Sequence, residues 1–326
     1  MKRKVILTVA NEEQKQIAKE YIKKQNNSLF HKYTFYILIS ANGTGTALLD
    51  VVRWKEKNNV KEPILVINSG GKSTRTPLFS KRGKIMIPLP STNNKNKMIL
   101  DELLELYSKI ENKIKIPGVL IMTADSICEN VNITEDITES CAISIMADKE
   151  YGPDHGVFTK EGNYVKGFLH KKSLDILEKE NAIINNNIMI DTGIYFIKEE
   201  HLDLLYNNYK KDYQNDLFLD FYAQMVKYII DKDKMLLLLL KDATFYHLGN
   251  YKNYFDYLQN NNIKFIDSIY PPKYNDKKVF FYHSKISENA TIEDNVAIFN
   301  CIINKETIKE NTIVYKDKDE IIYDKF

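Results

Sequence analysis

The sequence predicts an α/β protein: a mixed sheet flanked by helices, with a small β-helical segment at the C-terminus. Three observations predict it. Apolar β-branched runs of strand length, such as residues 64–68 and 119–126, alternate with stretches of helical spacing such as 97–110. Two strand candidates end in glycine-rich turns, at residues 42–47 and at Gly70-Gly71. Past Asn262, apolar residues recur every six positions, the period of a parallel β-helix.

Length and charge bound the function. At 326 residues the chain has room for one large domain, residues 1–262, and a small appendage, 263–326. Lys and Arg number 46 against 44 Asp and Glu, a net charge of +2, so no bulk charge points to nucleic acid or a membrane. Cys128, Cys141 and Cys301 are odd in number, lack metal-site spacing and indicate a reducing compartment. The apolar run at 5–10 meets Asn11-Glu12-Glu13 too early for a signal peptide, and the run at 236–240 is too short to cross a bilayer. A soluble, cytoplasmic protein is expected.

In chain order, residues 12–24 predict a surface helix and 33–40 a strand. The strand leads into Asn42-Gly43-Thr44-Gly45-Thr46-Ala47 and a helix over 47–57. A helix start behind a glycine turn offers N–H groups and partial positive charge to an anion, and a plain strand-to-helix turn is the alternative. The strand at 64–68 stops at Gly70-Gly71, where paired glycines let successive N–H groups face a bound phosphate. Ser73 and Thr74 add hydroxyls, while Arg75 and Lys84 add fixed positive charge. Such a set suits a nucleoside triphosphate. It is not a Walker A loop, whose first glycine would fall at Val66, and Lys72 and Arg75 break the G-x-G-x-x-G pattern.

The run Gly70-Gly71-Lys72-Ser73-Thr74-Arg75-x-Pro77, continued by Gly83-Lys84-x-x-x-Pro88-Leu89-Pro90, resembles the signature of sugar-phosphate nucleotidyltransferases. It is most similar to the fucose-1-phosphate guanylyltransferase branch, in which a serine follows the glycine pair where most relatives have another glycine. Matching segments cover residues 34–255. The resemblance implies a Rossmann-like, GT-A-like nucleotidyltransferase fold. It also implies nucleotide contacts from Gly43, Gly45, Gly70, Gly71 and Ser73, with Arg75 and Lys84 as the catalytic cations.

Downstream, residues 97–110 predict a helix with Leu100, Leu103, Leu104 and Tyr107 on one face. The strand at 119–126 delivers Asp125 at its carboxyl end, the edge where doubly wound sheets bind ligands. A carboxylate there can hold Mg²⁺ against triphosphate oxygens, or it can cap the next turn. The resemblance makes Asp125 the metal ligand. A strand at 142–147 precedes a hairpin turning at Gly162, and His170-Lys171-Lys172-Ser173 then opens a helix. The pairing of His155-Gly156-Val157-Phe158 with Lys171 is similar to the family's sugar site, which implies that Gly156 admits the sugar and Lys171 holds its phosphate. The strand at 188–196 likewise matches the one lining the sugar through Asp191 and Gly193. A helix is expected over 198–209. Asp216 opens an amphipathic helix running to Ile230, either as its N-cap or by reaching the sugar. After a strand at 235–240, Phe245-Tyr246-His247-x-Gly249 looks like the fucose branch. Many relatives carry a second metal-binding Asp there. His247 in its place could bind metal, hydrogen-bond phosphate or pack structurally.

In the tail, Phe280, Ile286, Ile292 and Ile298 keep the six-residue period, and Ile302, Ile308 and Val314 resume it after a slip. About two β-helical coils are expected, or an irregular β appendage, either forming homo-oligomer contacts or only covering a face of the main domain. The implied activity is GTP plus fucose 1-phosphate giving GDP-fucose and pyrophosphate, with Mg²⁺. Heptose, mannose or another hexose phosphate stays open as the acceptor. A non-catalytic nucleotide-sugar sensor on the same fold is kept alive by His247.

Overall fold

The computed structural model describes residues 2–40, 43–69, 82–89, 97–240, 242–261, 264–317 and 320–325. Gly70, Gly71, Ser73 and Arg75 lie outside the described residues. The sheet is built from β1 (Arg3–Val9), β2 (Tyr33–Ile39), β3 (Ile64–Asn68), β4 (Gly118–Thr123), β6 (Cys141–Asp148), β7 (Gly156–Glu161), β8 (Tyr164–His170), β9 (Asn187–Lys198) and β10 (Leu236–Leu240). Their order is β2-β1-β3-β4-β9-β6-β10-β8-β7, with β9 also touching β7. The four strands β2, β1, β3 and β4 run parallel, and β9 lies antiparallel between β4 and β6. The expected mixed sheet is present.

Strand alternation sorts side chains into two cores, one on each face. Val5, Leu7, Leu65, Ile67, Leu120 and Met122 point to one core, while Ile6, Ile64, Val66, Val119 and Ile121 point to the other. Helices α1 (Glu12–Lys24) and α2 (Ser28–His31) pack on the first face, beside α4 (Ile99–Ile110) and α8 (Tyr251–Asn260). The second face takes α3 (Thr44–Lys57), α6 (Glu199–Gln214) and the π-turn Phe221–Val226 leading into α7 (Lys227–Lys232). The short helix α5 (Leu174–Lys179) sits over a small separate cluster. Side-chain caps fix several starts: Asn11 accepts from Gln14 N at 2.9 Å, and Asn250 from Asn253 N at 2.9 Å.

Four expectations need correction, three here and one in the tail below. Helix α3 begins at Thr44, three residues early, because Gly43 (φ 93°) supplies the turn and accepts from Ala47 N. Residues 216–230 are not one helix. Asp216 is an exposed residue with φ 56°, directly after the C-cap Asn215 of α6, and Asp220 caps the following turn by accepting from Ala223 N at 2.7 Å. Asp216 is therefore no N-cap. Third, the six-residue pattern slips by one at the second corner of the tail. Ile302 is 60% exposed and Ile303 is fully buried.

The tail is a parallel β-helix. Strands β13 (Val279–Tyr282), β14 (Lys285–Ile286) and β15 (Thr291–Ile292) form one coil, and β16 (Val296–Phe299), β17 (Ile302–Ile303) and β18 (Thr307–Ile308) the next. Partners such as Val279 and Val296, Lys285 and Ile302, and Thr291 and Thr307 stack in parallel register. A short β12 (Phe265–Ile266) flanks one end, and β19 (Thr312–Asp317) with the antiparallel β20 (Glu320–Lys325) closes the other. Ile286, Ile292, Ile298, Ile303, Ile308 and Val314 fill its interior. Phe280, expected inside, instead joins the core of the main sheet, where its ring meets Phe255 edge-on at 5.0 Å. This face attaches the β-helix to α8.

Candidate active site

The carboxyl ends of β1, β3 and β4 are tied to one another. Ser69 N donates to Thr8 O at 3.0 Å, Ala124 N donates to Asn68 O at 3.0 Å, and Thr8 Oγ1 donates to Asn68 Oδ1 at 2.6 Å. Lys84 opens a 3₁₀ turn, Lys84–Met86, whose start is held here because Ile85 N donates to Ser69 Oγ at 3.3 Å. Ile85, Met86 and Ile87 are buried, so the turn is anchored by its apolar residues and presents the lysine. Its ammonium meets Asp125 Oδ2 at 2.5 Å. Asp125 sits in the two-residue turn between β4 and β5 (Ser126–Glu129), and β5 pairs with β11 (Thr244–His247). That pairing brings His247 alongside, and Leu248 N donates to Asp125 O at 2.7 Å. Burial by itself would raise the Asp125 carboxyl. The Lys84 ammonium, and then His247, outweigh it and hold the group at about 2.

A bulge in β9 builds the neighbouring wall. Ile143 pairs with Ile194, but Ser144 pairs with Asp191, so Thr192 and Gly193 are looped out. Ser144 Oγ donates to Ile190 O and Thr192 Oγ1 to Ile143 O, which holds the bulge closed. Gly193 adopts φ 74°, and a Cβ there would fall 2.3 Å from Thr123 Oγ1, so only glycine lets the bulge press on the end of β4. Asp191 is thereby turned into the wall, where its Oδ1 accepts from Gly193 N at 2.8 Å. Burial pushes its carboxyl up to about 6, although the Gly193 N–H and the Tyr195 side chain favour the charged form. Gly156 lies against it, since a Cβ on Gly156 would sit 3.0 Å from Asp191 Cβ. Tyr222 lies in the same region: burial, then the Asp191 and Asp125 charges, raise its hydroxyl, and the hydrogen bond with Thr123 opposes them.

His155 joins the remaining pieces. Its Nδ1 lies 2.8 Å from Tyr151 O, which can only accept, so Nδ1 carries the proton. Burial lowers the His155 pKa and keeps the ring neutral, so Nε2 accepts from His247 Nδ1 at 3.1 Å. Its main-chain carbonyl accepts from Lys171 N at 2.9 Å. Lys171 has φ 50°, and among the described non-glycine residues with positive φ all the others are Asn, Asp or His. A long side chain held in that region carries strain that asparagine would reduce.

The structure thus gathers Lys84, Asp125, His247, Gly156, Asp191, Gly193 and the Lys171 turn into one region. Gly43 and Gly45 stand at the start of α3, under residues 218–219. A Cβ on Gly45 would meet Leu219 O at 2.4 Å, so this glycine has a packing reason of its own, while the Phe218 ring beside Gly43 is 67% exposed. Reading the sequence missed His155 as a side chain, Tyr222 and Phe218. Tyr222 falls inside the expected 216–230 helix, and the exposure of Phe218 and its place beside Gly43 are visible only in the structure. No group of three or more His, Cys, Asp or Glu gathers among the described residues. The donor chemistry at Asp125 suits Mg²⁺, which takes one or two carboxylates and completes its shell with phosphate and water. The His247 nitrogen suits that hard cation poorly.

The sequence pattern of the fucose pyrophosphorylase domain matches residues 57–232. An L-fucokinase/L-fucose-1-P guanylyltransferase of Bacteroides fragilis is 24% identical over 214 residues, covering 59% of this chain and 22% of that protein. The chain therefore spans about a fifth of that relative's length. Among solved structures, a CTP:phosphocholine cytidylyltransferase from Streptococcus pneumoniae aligns at 13% identity and TM-score 0.36, covering 78% of this chain and 96% of that one. A nucleoside-diphosphate-sugar pyrophosphorylase from Vibrio cholerae aligns at 14% identity and TM-score 0.36, covering 78% and 99%. No helix among the described residues is long and apolar enough to cross a membrane.

Proposed function

The chain belongs to the fucose pyrophosphorylase family, whose reaction class is nucleotidyl transfer to a sugar 1-phosphate, and from that premise we propose that it converts GTP and fucose 1-phosphate into GDP-fucose and pyrophosphate. The observation that carries the reading is the Lys84–Asp125 pair at the carboxyl edge of β3 and β4, beside the walled-in Asp191.

The attacking phosphate oxygen is already an anion, so no side chain has to deprotonate it. What the site must supply is alignment and charge neutralisation around the α-phosphorus. Lys84 would leave its partner carboxylate to stabilise charge on the α-phosphoryl group. Asp125 would hold Mg²⁺, which when bound supplies charge against triphosphate oxygens. His247, turned by its hydrogen bond to His155, flanks Asp125 and helps keep it ionised. Arg75, with Gly70, Gly71 and Ser73, would contact the triphosphate and the departing pyrophosphate. Gly43 and Gly45 at the start of α3 would take the nucleoside. On the acceptor side, Lys171 would bind the sugar phosphate, while Asp191 and Gly193 face the hydroxyls and Gly156 keeps the floor open.

A panel of nucleoside triphosphates crossed with fucose, mannose and heptose 1-phosphates, read by pyrophosphate release, tests this. GTP with fucose 1-phosphate is expected to give the highest kcat/KM. Release from another pairing would overturn the specificity, and binding without release from any pairing would overturn catalysis.

A further inference from the structure

A cavity of about 500 Å³ opens where the Arg82 turn and the start of α4 meet the β-helix. That volume lies within the roughly 300–1,000 Å³ of small-molecule sites. Arg82, Met98, His283, Asn300, Tyr315 and Lys316 line it, and no carboxylate does among the described residues. The Arg82 guanidinium lies 5.1 Å from the centre of the Tyr315 ring, so the aromatic face holds it at the cavity wall. A second cavity of about 410 Å³ shares His283, Asn300 and Lys316 and lies on the β-helix alone, beside Lys285. Asp267, 3.7 Å from His283 Nδ1, is the acidic group on that further side. Arg82 and Lys316 thus face the first cavity from opposite sides of the seam, and such a cleft focuses a positive field on small anions.

Position gives the seam a consequence. Arg82 is two residues before Lys84, with only Gly83 (φ 80°) between them, and Met98 is the N-cap of α4. An anion drawn between Arg82 and Lys316 would bear directly on the turn that presents Lys84 to Asp125. We propose that this cavity binds a small phosphate-bearing molecule between Arg82, His283 and Lys316, and that its occupancy sets how Lys84 is presented. The binding stands independently of the guanylyl-transfer reading, whereas the effect on turnover rests on it.

The Met98 methyl is a built-in reporter, and Met122 in β4 reports on the catalytic edge. The full chain carrying ¹³C-methyl methionine is titrated with inorganic phosphate, fucose 1-phosphate or GDP, against potassium chloride at equal ionic strength. A saturable Met98 shift is expected with at least one of the three phosphates, and the arms tell which source fits. In the double variant His283→Ala/Lys316→Ala, the Met98 affinity should fall by about tenfold or more, while Met122 still responds to GDP. No saturable Met98 shift, an equal shift with chloride, or an unchanged shift in the double variant would overturn the site. Pyrophosphate release should change with the Met98-active phosphate in the wild type and not in the double variant. Unchanged release beside a saturating Met98 shift would overturn the coupling to Lys84. Absence of release under any condition would count against the proposed function, and the Met98 titration would still decide the site.

Discussion

Replacing Lys84 by methionine keeps the bulk of the stem and removes one charge beside Asp125. The ammonium is 2.5 Å from Asp125 Oδ2, and the two side chains are 19% and 18% exposed, so water screens the pair little. Burial raises the Asp125 carboxyl, yet Lys84 and His247 bring it from an ordinary 3.8 to about 2. A depression of about two pH units corresponds to roughly 2–3 kcal/mol favouring the carboxylate in the fold. Because the folded value lies below the unfolded one, that stabilisation is complete above about pH 4 and is lost as pH falls through 4 toward 2. Without Lys84 the burial cost goes largely unopposed. Urea unfolding in the presence of a chelator should then show a loss of about 2–4 kcal/mol at pH 7, with the loss on acidification shrinking or reversing. Pyrophosphate release should drop by about 10²- to 10³-fold, the usual effect of deleting one charge-stabilising group. A variant that keeps turnover within about threefold of wild type, with the same acid limb, would refute the role given to this pair.

Three further outcomes are expected. Asp191→Asn should be more stable than wild type by up to about 3 kcal/mol at pH 7.5 by urea unfolding, since the folded carboxyl is raised to about 6 and stability falls as pH climbs from 4 through 6; the same change should raise KM for the sugar phosphate more than it lowers kcat. Lys171→Asn should relieve the left-handed strain, raising Tm by an amount equivalent to up to about 1 kcal/mol, while weakening sugar-phosphate binding at least as much. His155→Phe keeps the edge-on ring contact with Phe245 but deletes the acceptor for His247, so the His247 Nδ1 signal should shift by ¹⁵N NMR; His155→Gln, which can still accept, should keep the wild-type shift.

Much of the sheet was legible because its signals are local. Strands β3 and β4 are short apolar runs ended by turns, and α1 and α4 have apolar positions at helical spacing, so burial can be read from period alone. The 216–230 stretch was misread because Asp216 and Asp220 both look like helix caps. The choice between them is made by α6, which runs on to Gln214 and leaves Asp216 in its closing left-handed turn. Ile302 and Ile303 are both apolar, and corner geometry in the β-helix decides which one points inward.

By itself the sequence determined the local strands and helices with a clear period, such as β3, β4, α1 and α4, and singled out Lys84, Asp125 and Asp191 as candidates. Only the tertiary structure decided that Lys84 and Asp125 form a pair, that β5 and β11 set His247 beside them, and that a bulge turns Asp191 inward. Lys84, His247 and Asp191 stand 41, 122 and 66 positions from Asp125 along the chain. No local period encodes such contacts. They follow from which strands are neighbours in the sheet, and that order is set by the packing of two whole cores rather than by any one segment.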